Sequence, residues 1–189
     1  MEQSWTRVTS WLAKYAPGSF RALGPPATAQ DVERAQGRLQ VALPAALVKL
    51  LSMTNGASFS PDPDQQFGSR FLPGGFSLLP VAEIPDRTDM LNSIVLSLGS
   101  DMLGYWWHPH WVPFAETVSG DALAVDQRPG SGQGRVGEFH HDGYTEFDLG
   151  ASLTDYITLV ATALEQQQDF GYYRPRVVDE RLAWDVVVS

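Results

Sequence analysis

The chain has 189 residues, of which 43% are hydrophobic and 19% are charged, and it contains no cysteine. This composition is globular rather than disordered, and the lack of cysteine excludes disulfides, thiolate metal ligands and cysteine nucleophiles. The formal net charge of −9 argues against a nucleic-acid-binding protein, because such proteins normally present a basic face.

Three amphipathic helices are predicted in the first third of the chain. The first carries large apolar side chains at spacings of three and four residues, with Ser4 as its N-cap and an end at Pro17-Gly18. The second begins at Thr28, which has an acid three residues later and so resembles a capping box. The third is the segment LPAALVKLLSMTNG, with Pro44 at its first helical position.

A meander of antiparallel strands is predicted for the middle of the chain. A short apolar strand at Phe76–Leu79 precedes residues 80–104, whose pattern indicates helical pieces broken by Pro85. Turns rich in glycine and proline then separate four further strands. These are Trp111–Phe114, Ala122–Asp126, Arg135–His140 and Thr145–Leu149.

A further helix, capped by Ser152, follows the strands, and a last strand is predicted at Leu182–Val188. The order of the predicted elements, in which a block of strands lies between helices, is typical of an α+β domain. We therefore predict a central antiparallel meander sheet packed against several helices. We expect one domain over residues 1–189. Within it, residues 1–27 form an N-terminal helix and linker, 28–167 the core, and 168–189 a C-terminal extension.

Four segments, in this order, resemble the SMI1/KNR4 family, also called the SUKH superfamily. They are LPAALVKLLSMTNG, FSLLPVAEI, WVPFAETVSGDALAVDQRPGSGQGRVGEFHHDG and SLTDYITLVATALEQ. The resemblance covers about residues 28–167 and leaves out the N-terminal tryptophan helix and the tail, and the insert around Asp62–Arg70 belongs to this chain alone. It implies an α+β domain without known catalytic apparatus. Bacterial members look like immunity proteins against polymorphic toxins, and fungal members are linked to cell-wall synthesis.

The negative charge is concentrated in the segment where the resemblance is strongest. Residues 1–55 carry a net charge of +3 and residues 56–189 one of −12, with eight acids between Glu116 and Asp155. An acidic surface attracts basic partners and repels polyanions, although acids also simply keep proteins soluble. The candidate partner-binding acids are Asp121, Asp126, Glu138, Asp142 and Glu146.

Trp106 and Trp107 are candidate aromatic anchors for the same partner, because aromatic residues are enriched at interface hot spots. The alternative is that these tryptophans fill the core beneath the sheet, as large aromatic side chains mostly do. The four histidines form two close pairs, of which His108 and His110 could share one face of a strand and reach one metal ion. No HExxH helix or acidic loop accompanies them, so no metal or other cofactor is assigned.

The sequence therefore predicts a non-enzymatic protein-binding domain, an immunity protein that occludes a basic toxin domain, for example a nuclease. The first alternative is a regulatory or scaffold module linked to cell-wall synthesis, and the second is a metal-dependent hydrolase built on His108 and His110. No nucleic-acid or membrane partner is expected. Since no export leader or membrane-spanning segment is visible, we expect a cytoplasmic protein, and the oligomeric state stays open.

Overall fold

The structure, a computed structural model, describes residues 1–57 and 68–187, and within them the chain forms six α-helices. Most of the insert around Asp62–Arg70 lies outside the described residues. The helices are α1 (Glu2–Tyr15), α2 (Pro17–Arg21), α3 (Ala29–Gln36), α4 (Ala45–Leu51), α5 (Ile84–Leu98) and α6 (Leu153–Gln166).

Five strands form one antiparallel sheet in the order of the sequence, so each strand is hydrogen-bonded to the next along the chain. They are β1 (Ser77–Leu78), β2 (Trp111–Glu116), β3 (Ala122–Asp126), β4 (Val136–Phe139) and β5 (Thr145–Gly150). This sheet confirms the predicted α+β fold and its central meander. A separate two-stranded sheet contains β6 (Tyr173–Val178) and β7 (Arg181–Val186).

Capping residues explain where two of the helices begin. The hydroxyl of Thr28 accepts a hydrogen bond from the Asp31 backbone N–H, and the Asp31 carboxylate accepts one from the Thr28 backbone, which completes the predicted capping box. At the start of α6 the Ser152 hydroxyl accepts a hydrogen bond from the Asp155 backbone N–H, without the reciprocal bond from the Ser152 backbone. The prediction for Ser4 is wrong, because α1 begins three residues earlier than an N-cap at Ser4 requires and buries that hydroxyl against Thr158.

Two prolines begin helices where the sequence predicted an interruption. Pro17 ends α1 but is also the first residue of α2, and Pro85 lies in the first turn of the continuous helix α5. The first-turn N–H groups of a helix have no partner within it, so proline costs little there. The ambiguous segment 80–104 therefore contains one continuous α-helix of 15 residues, followed by a 3-10 turn at Ser100–Met102.

The sheet has an apolar core on each face. Helices α1, α4 and α6 pack on one face over side chains such as Val112, Leu123 and Val136. On the other face α5 covers a smaller core whose buried members are Leu91, Val95, Trp106, Trp107, Trp111, Ala122, Ala124 and Phe139. Because side chains alternate along a strand, both faces of β2 and β3 are apolar, and these strands lie in the interior.

The C-terminal segment forms a hairpin and not the single predicted strand, whose last residue, Val188, lies outside the described residues. Its two-residue turn, Asp179-Glu180, has positive φ at both positions, which matches the twist of the flanking strands. The hairpin is fixed to the rest of the chain by a hydrogen bond from the Trp184 indole to the Phe71 carbonyl, 2.8 Å long.

No helix within residues 1–57 and 68–187 combines the length and the apolar character that crossing a bilayer requires.

Candidate partner-binding surface

The hairpin formed by β4 and β5 carries four acids, which we call the acidic hairpin: Glu138, Asp142, Glu146 and Asp148. Glu138 lies directly opposite Glu146 in the strand register, so the two carboxylates project from one face. Asp142, Glu146 and Asp148 are exposed, whereas the side chain of Glu138 is only 17% exposed. The strands thus bring three of the predicted binding acids together, and the structure adds Asp148 to them.

The acids of the acidic hairpin differ from most other exposed acids of the described surface, because they form no ion pairs with lysine or arginine. Elsewhere most exposed acids form an ion pair with lysine or arginine. Examples are Glu2, Asp86, Glu116, Glu165, Asp169, Glu180 and Asp185. Within the described part of the chain, no lysine or arginine pairs with a member of the acidic hairpin; Glu138 has only His140, 3.8 Å away. This surface is therefore an unneutralised negative patch.

Asp121 lies beside the hairpin but has internal contacts of its own. Its carboxylate accepts hydrogen bonds from the His141 backbone N–H at 3.0 Å and from the Ser119 hydroxyl at 3.0 Å, and its Oδ1 lies 2.8 Å from the His141 ring. Burial alone would raise the pKa of Asp121, but these hydrogen bonds outweigh it and lower the pKa. The same contact raises the pKa of His141. Asp121 thus ties the β2–β3 turn to the β4–β5 turn.

Asp126 is not available to a partner, which corrects the sequence-based prediction. It is 2% exposed, and the Arg128 guanidinium binds its carboxylate through Nε at 3.0 Å and Nη2 at 2.7 Å. The backbone N–H of Arg128 donates a further hydrogen bond. Since the turn after β3 folds this arginine back over the strand end, the acid is paired inside the fold.

Trp106 and Trp107 are also buried, which contradicts their predicted role as exposed anchors. They are 7% and 0% exposed and pack edge to face on the Phe139 ring at centroid distances of 4.7 and 5.4 Å. Their indole N–H groups donate to the His141 carbonyl and to the Asn92 side chain. They fill the smaller core, as the alternative interpretation of the sequence held.

Two exposed tyrosines beside the acidic hairpin were not among the predicted site residues. Tyr105 and Tyr144 are 55% and 46% exposed, and their rings stack at a centroid distance of 5.9 Å. A hydrogen bond between Tyr144 and Glu146 raises the pKa of the phenol and joins the pair to the acids. The position of Tyr144 in the turn Asp142-Gly143-Tyr144 was the available sequence signal, because hairpin turns usually lie at the surface.

A cavity of about 350 Å³ opens beside the hairpin, between the β2–β3 turn, the turn at Pro73–Gly75 and the C-terminal hairpin. Its polar lining residues are Arg70, Thr117, Ser119, Asp121, Glu138, His140 and Tyr173. Burial raises the pKa of Glu138; His140 counteracts that rise, and three neighbouring acids add to it. The cavity therefore contains a carboxylate whose charged form the fold disfavours.

The histidine pair that the sequence offered as metal ligands has other contacts. The His110 backbone N–H donates to Nδ1 of His108 at 3.0 Å, and burial lowers the pKa of His108, with Arg128 adding to the effect. In residues 1–57 and 68–187, no group of three or more His, Cys, Asp or Glu side chains is arranged to hold a metal ion.

Replacing Glu138 by Gln is expected to stabilise the protein at neutral pH. A raised pKa means that the folded state binds the proton more tightly, so the contribution of Glu138 to stability is greatest below its ordinary pKa of about 4.5. That contribution is lost as the pH rises through the higher pKa of the folded state. Glutamine keeps the neutral form at every pH.

Urea unfolding of the wild type and of Glu138→Gln at about pH 7 and about pH 3.5 measures this effect. The free energy of unfolding of Glu138→Gln should exceed that of the wild type at about pH 7, and this difference should shrink at about pH 3.5. Glu33→Gln, which alters an exposed acid of α3 without an ion pair among the described residues, is the control and should show little change. A loss of stability in Glu138→Gln at neutral pH would contradict the burial argument.

Comparison with known proteins identifies related sequences. A model of the SMI1/KNR4 family (SUKH-1) matches residues 26–159. The chain is similar to a cell wall biosynthesis/cell cycle regulator, smi1, of Schizosaccharomyces pombe, with 24% identity over 188 residues, 87% of this chain and 36% of that protein. It is also similar to KNR4/SMI1 homolog 1 of Debaryomyces hansenii, with 30% identity over 100 residues, 53% of this chain and 21% of that protein. The chain thus spans only about a fifth to a third of the length of these curated relatives.

Proposed function

The chain belongs to the SMI1/KNR4 family (SUKH-1), and on that basis we propose that it is a non-catalytic module that binds and occludes a basic surface of a partner protein. The observation that carries the proposal is the acidic hairpin. It places exposed carboxylates, which pair with no lysine or arginine in the described part of the chain, beside the stacked rings of Tyr105 and Tyr144. Exposed aromatic residues next to unneutralised charge are typical of a binding surface, because the rings supply contact area and the charges supply complementarity.

The proposed mechanism is electrostatic steering followed by occlusion. The acids of the hairpin attract the basic surface over a distance of about 10 Å at moderate salt, and so speed the encounter. The two tyrosines then bury apolar area at contact. A module that covers a basic substrate groove in this way blocks the groove without any reaction of its own.

For the partner, we propose a toxin, so that the chain acts as an immunity protein. The support is the resemblance to bacterial immunity proteins of the SUKH superfamily, together with a composition of eleven arginines and two lysines that is typical of GC-rich bacterial genomes. A regulatory role is the second candidate. The observation that favours it is that one of the two curated relatives is named as a regulator of cell-wall biosynthesis and the cell cycle.

Reversing a charge of the acidic hairpin is expected to slow association with the partner. Glu146→Lys should lower the association rate constant several-fold to about tenfold at low salt, and the difference should shrink towards about 0.5 M salt as screening increases. Partners are captured from cells of the source strain on immobilised protein, then purified and measured one at a time by surface plasmon resonance.

Glu33→Lys is the matched control, because it makes the same change in net charge on α3, away from the hairpin. It should leave the rate constant within about twofold of the wild type. Equal effects of the two variants would indicate a response to net charge alone and would contradict docking through the hairpin. An association rate constant that depends on neither salt nor Glu146 would also contradict docking through the hairpin.

A growth assay distinguishes the two candidate roles. The captured partner is expressed alone and together with this chain. Growth arrest that the chain relieves at equimolar expression supports immunity. A partner that is harmless when expressed alone contradicts immunity and favours the regulatory role.

A further inference from the structure

The cavity beside the acidic hairpin contains a carboxylate, that of Glu138, which forms no ion pair with lysine or arginine within residues 1–57 and 68–187. Glu138 lies on β4, facing the same side of the sheet as Val136, and its side chain is mostly covered. An ionised carboxylate withdrawn from water is costly unless a cation or several donors compensate. Among the described residues its one ion-pair contact is with His140 at 3.8 Å, which is charged only when protonated, and the acids Asp121, Glu146 and Asp148 also act on it.

A second buried polar group, close to Glu138, has no hydrogen-bond partner among the described residues. The hydroxyl of Tyr156, on α6, is buried and makes no hydrogen bond within the described residues. Burial, followed by the neighbouring Glu138 and Tyr173, raises the pKa of this phenol well above its ordinary value. Glu138 and Tyr173 both line the cavity, whereas Tyr156 lies close to them without being one of its lining residues. A buried phenol normally has a hydrogen-bond partner, so an unsatisfied polar group lies close to Glu138.

We infer that this cavity receives one cationic side chain, an arginine or a lysine, from the partner protein. The inference rests on the proposed function and gives that binding a specific contact. The cation would pair with Glu138, and Tyr173 in the cavity wall supplies an aromatic side chain beside it. Exposed hairpin acids steer the partner, whereas Glu138 recognises one residue of it.

Two cationic residues of this chain, Arg70 and His140, also line the cavity. Arg70 already has a non-covalent partner of its own. His140 is half exposed, and an incoming guanidinium or ammonium group would replace its weak contact with Glu138 by a permanent charge. Around the mouth, Thr117 and Ser119 supply hydroxyls that are hydrogen-bonded to each other at 2.7 Å.

The experiment uses three blocked tripeptides, with arginine, lysine or citrulline between two glycines. Citrulline has the shape of arginine without its charge. Binding is followed by NMR of ¹³C-labelled glutamate side chains in the full chain. We expect the arginine or the lysine peptide, or both, to shift the Glu138 carboxyl resonance and to lower its pKa towards the ordinary value, with no shift from citrulline. The peptide that binds more tightly shows whether the cavity prefers arginine or lysine.

Glu138→Gln should weaken binding of the cationic peptide about tenfold or more, because a neutral amide replaces the charge of the pair. Glu33→Gln, with the same change in net charge, should bind as the wild type does. Unchanged near-ultraviolet circular dichroism of both variants shows that the fold is retained. Equal binding of the citrulline peptide, or full binding by Glu138→Gln, would overturn the inference, as would shifts confined to exposed glutamates.

The outcomes separate this inference from the proposed function. If Glu146→Lys slows association with the captured partner but Glu138→Gln leaves its affinity unchanged, the cavity inference fails and the docking surface stands. If the peptides bind at Glu138 but the partner is indifferent to Glu146, the cavity stands and electrostatic docking through the hairpin fails.

Discussion

Trp107→Ala is expected to lower the free energy of unfolding by about 3–5 kcal/mol, the range for truncating a fully buried tryptophan. Trp107 is 0% exposed and contacts Trp111 and Phe139 edge to face at centroid distances of 5.5 and 5.4 Å. Truncation leaves a cavity beneath the sheet and also deprives the Asn92 side chain of the indole donor 2.9 Å away. Urea unfolding followed by far-ultraviolet circular dichroism measures the loss.

Tyr105→Ala is the control for this variant, because Tyr105 is only two residues away but largely exposed. It should cost about 0.5 kcal/mol or less, as is usual for surface positions. For partner binding we expect the reverse: Tyr105→Ala should weaken it more than Trp107→Ala does. A Trp107→Ala protein that loses partner binding but less than about 1 kcal/mol of stability would restore the role of an exposed anchor.

Arg128→Ala is expected to destabilise the protein by about 2–4 kcal/mol, because it leaves the buried carboxylate of Asp126 without its cation. The guanidinium donates three hydrogen bonds to that carboxylate, two from Nε and one from Nη2, and also lies over the Trp111 ring, 5.1 Å from its centroid. The arginine side chain is 40% exposed, so water replaces part of the lost contact and the lower half of the range is expected.

Two further arginine variants test this explanation. Arg128→Lys should recover only part of the stability, since an ammonium group cannot make the paired contacts or stack on the indole in the same way. Arg135→Ala, at an exposed arginine without an ion pair among the described residues, should change the free energy of unfolding by about 0.5 kcal/mol or less. Full recovery with lysine would show that charge alone matters, and equal losses at both arginines would contradict a specific pair.

Local sequence signals predicted those parts of the fold that local chemistry decides. The capping box at Thr28 needs only residues three apart, and the turns between the strands need only glycine and proline at the right places. Proline was ambiguous, because it begins a helix as readily as it breaks one. Pro85 lies in the first turn of α5, and only packing of that helix over Trp107 and its neighbours selects the continuous form.

The candidate site was predicted only in part, because exposure is a property of the whole fold. Glu138, Asp142 and Glu146 follow from their places in one hairpin, so sequence reasoning could group them. Asp126 is also an aspartate of the same sheet, but the turn that brings Arg128 over it covers its carboxylate. The sequence left the exposure of Trp107 open between core and surface, and the cavity at Glu138 could not be predicted, because it is formed by segments far apart in the sequence.

The position of β5 at the edge of the sheet gives the acidic hairpin a second consequence. An edge strand leaves backbone donors and acceptors open on one side, and another molecule could add a strand there and begin aggregation. Glu146 and Asp148 put like charges along that edge, so two copies of the chain repel each other where they would otherwise join. The carboxylates proposed to attract a basic partner are thus also suited to keeping the protein from assembling with itself, and acidification would weaken both effects together.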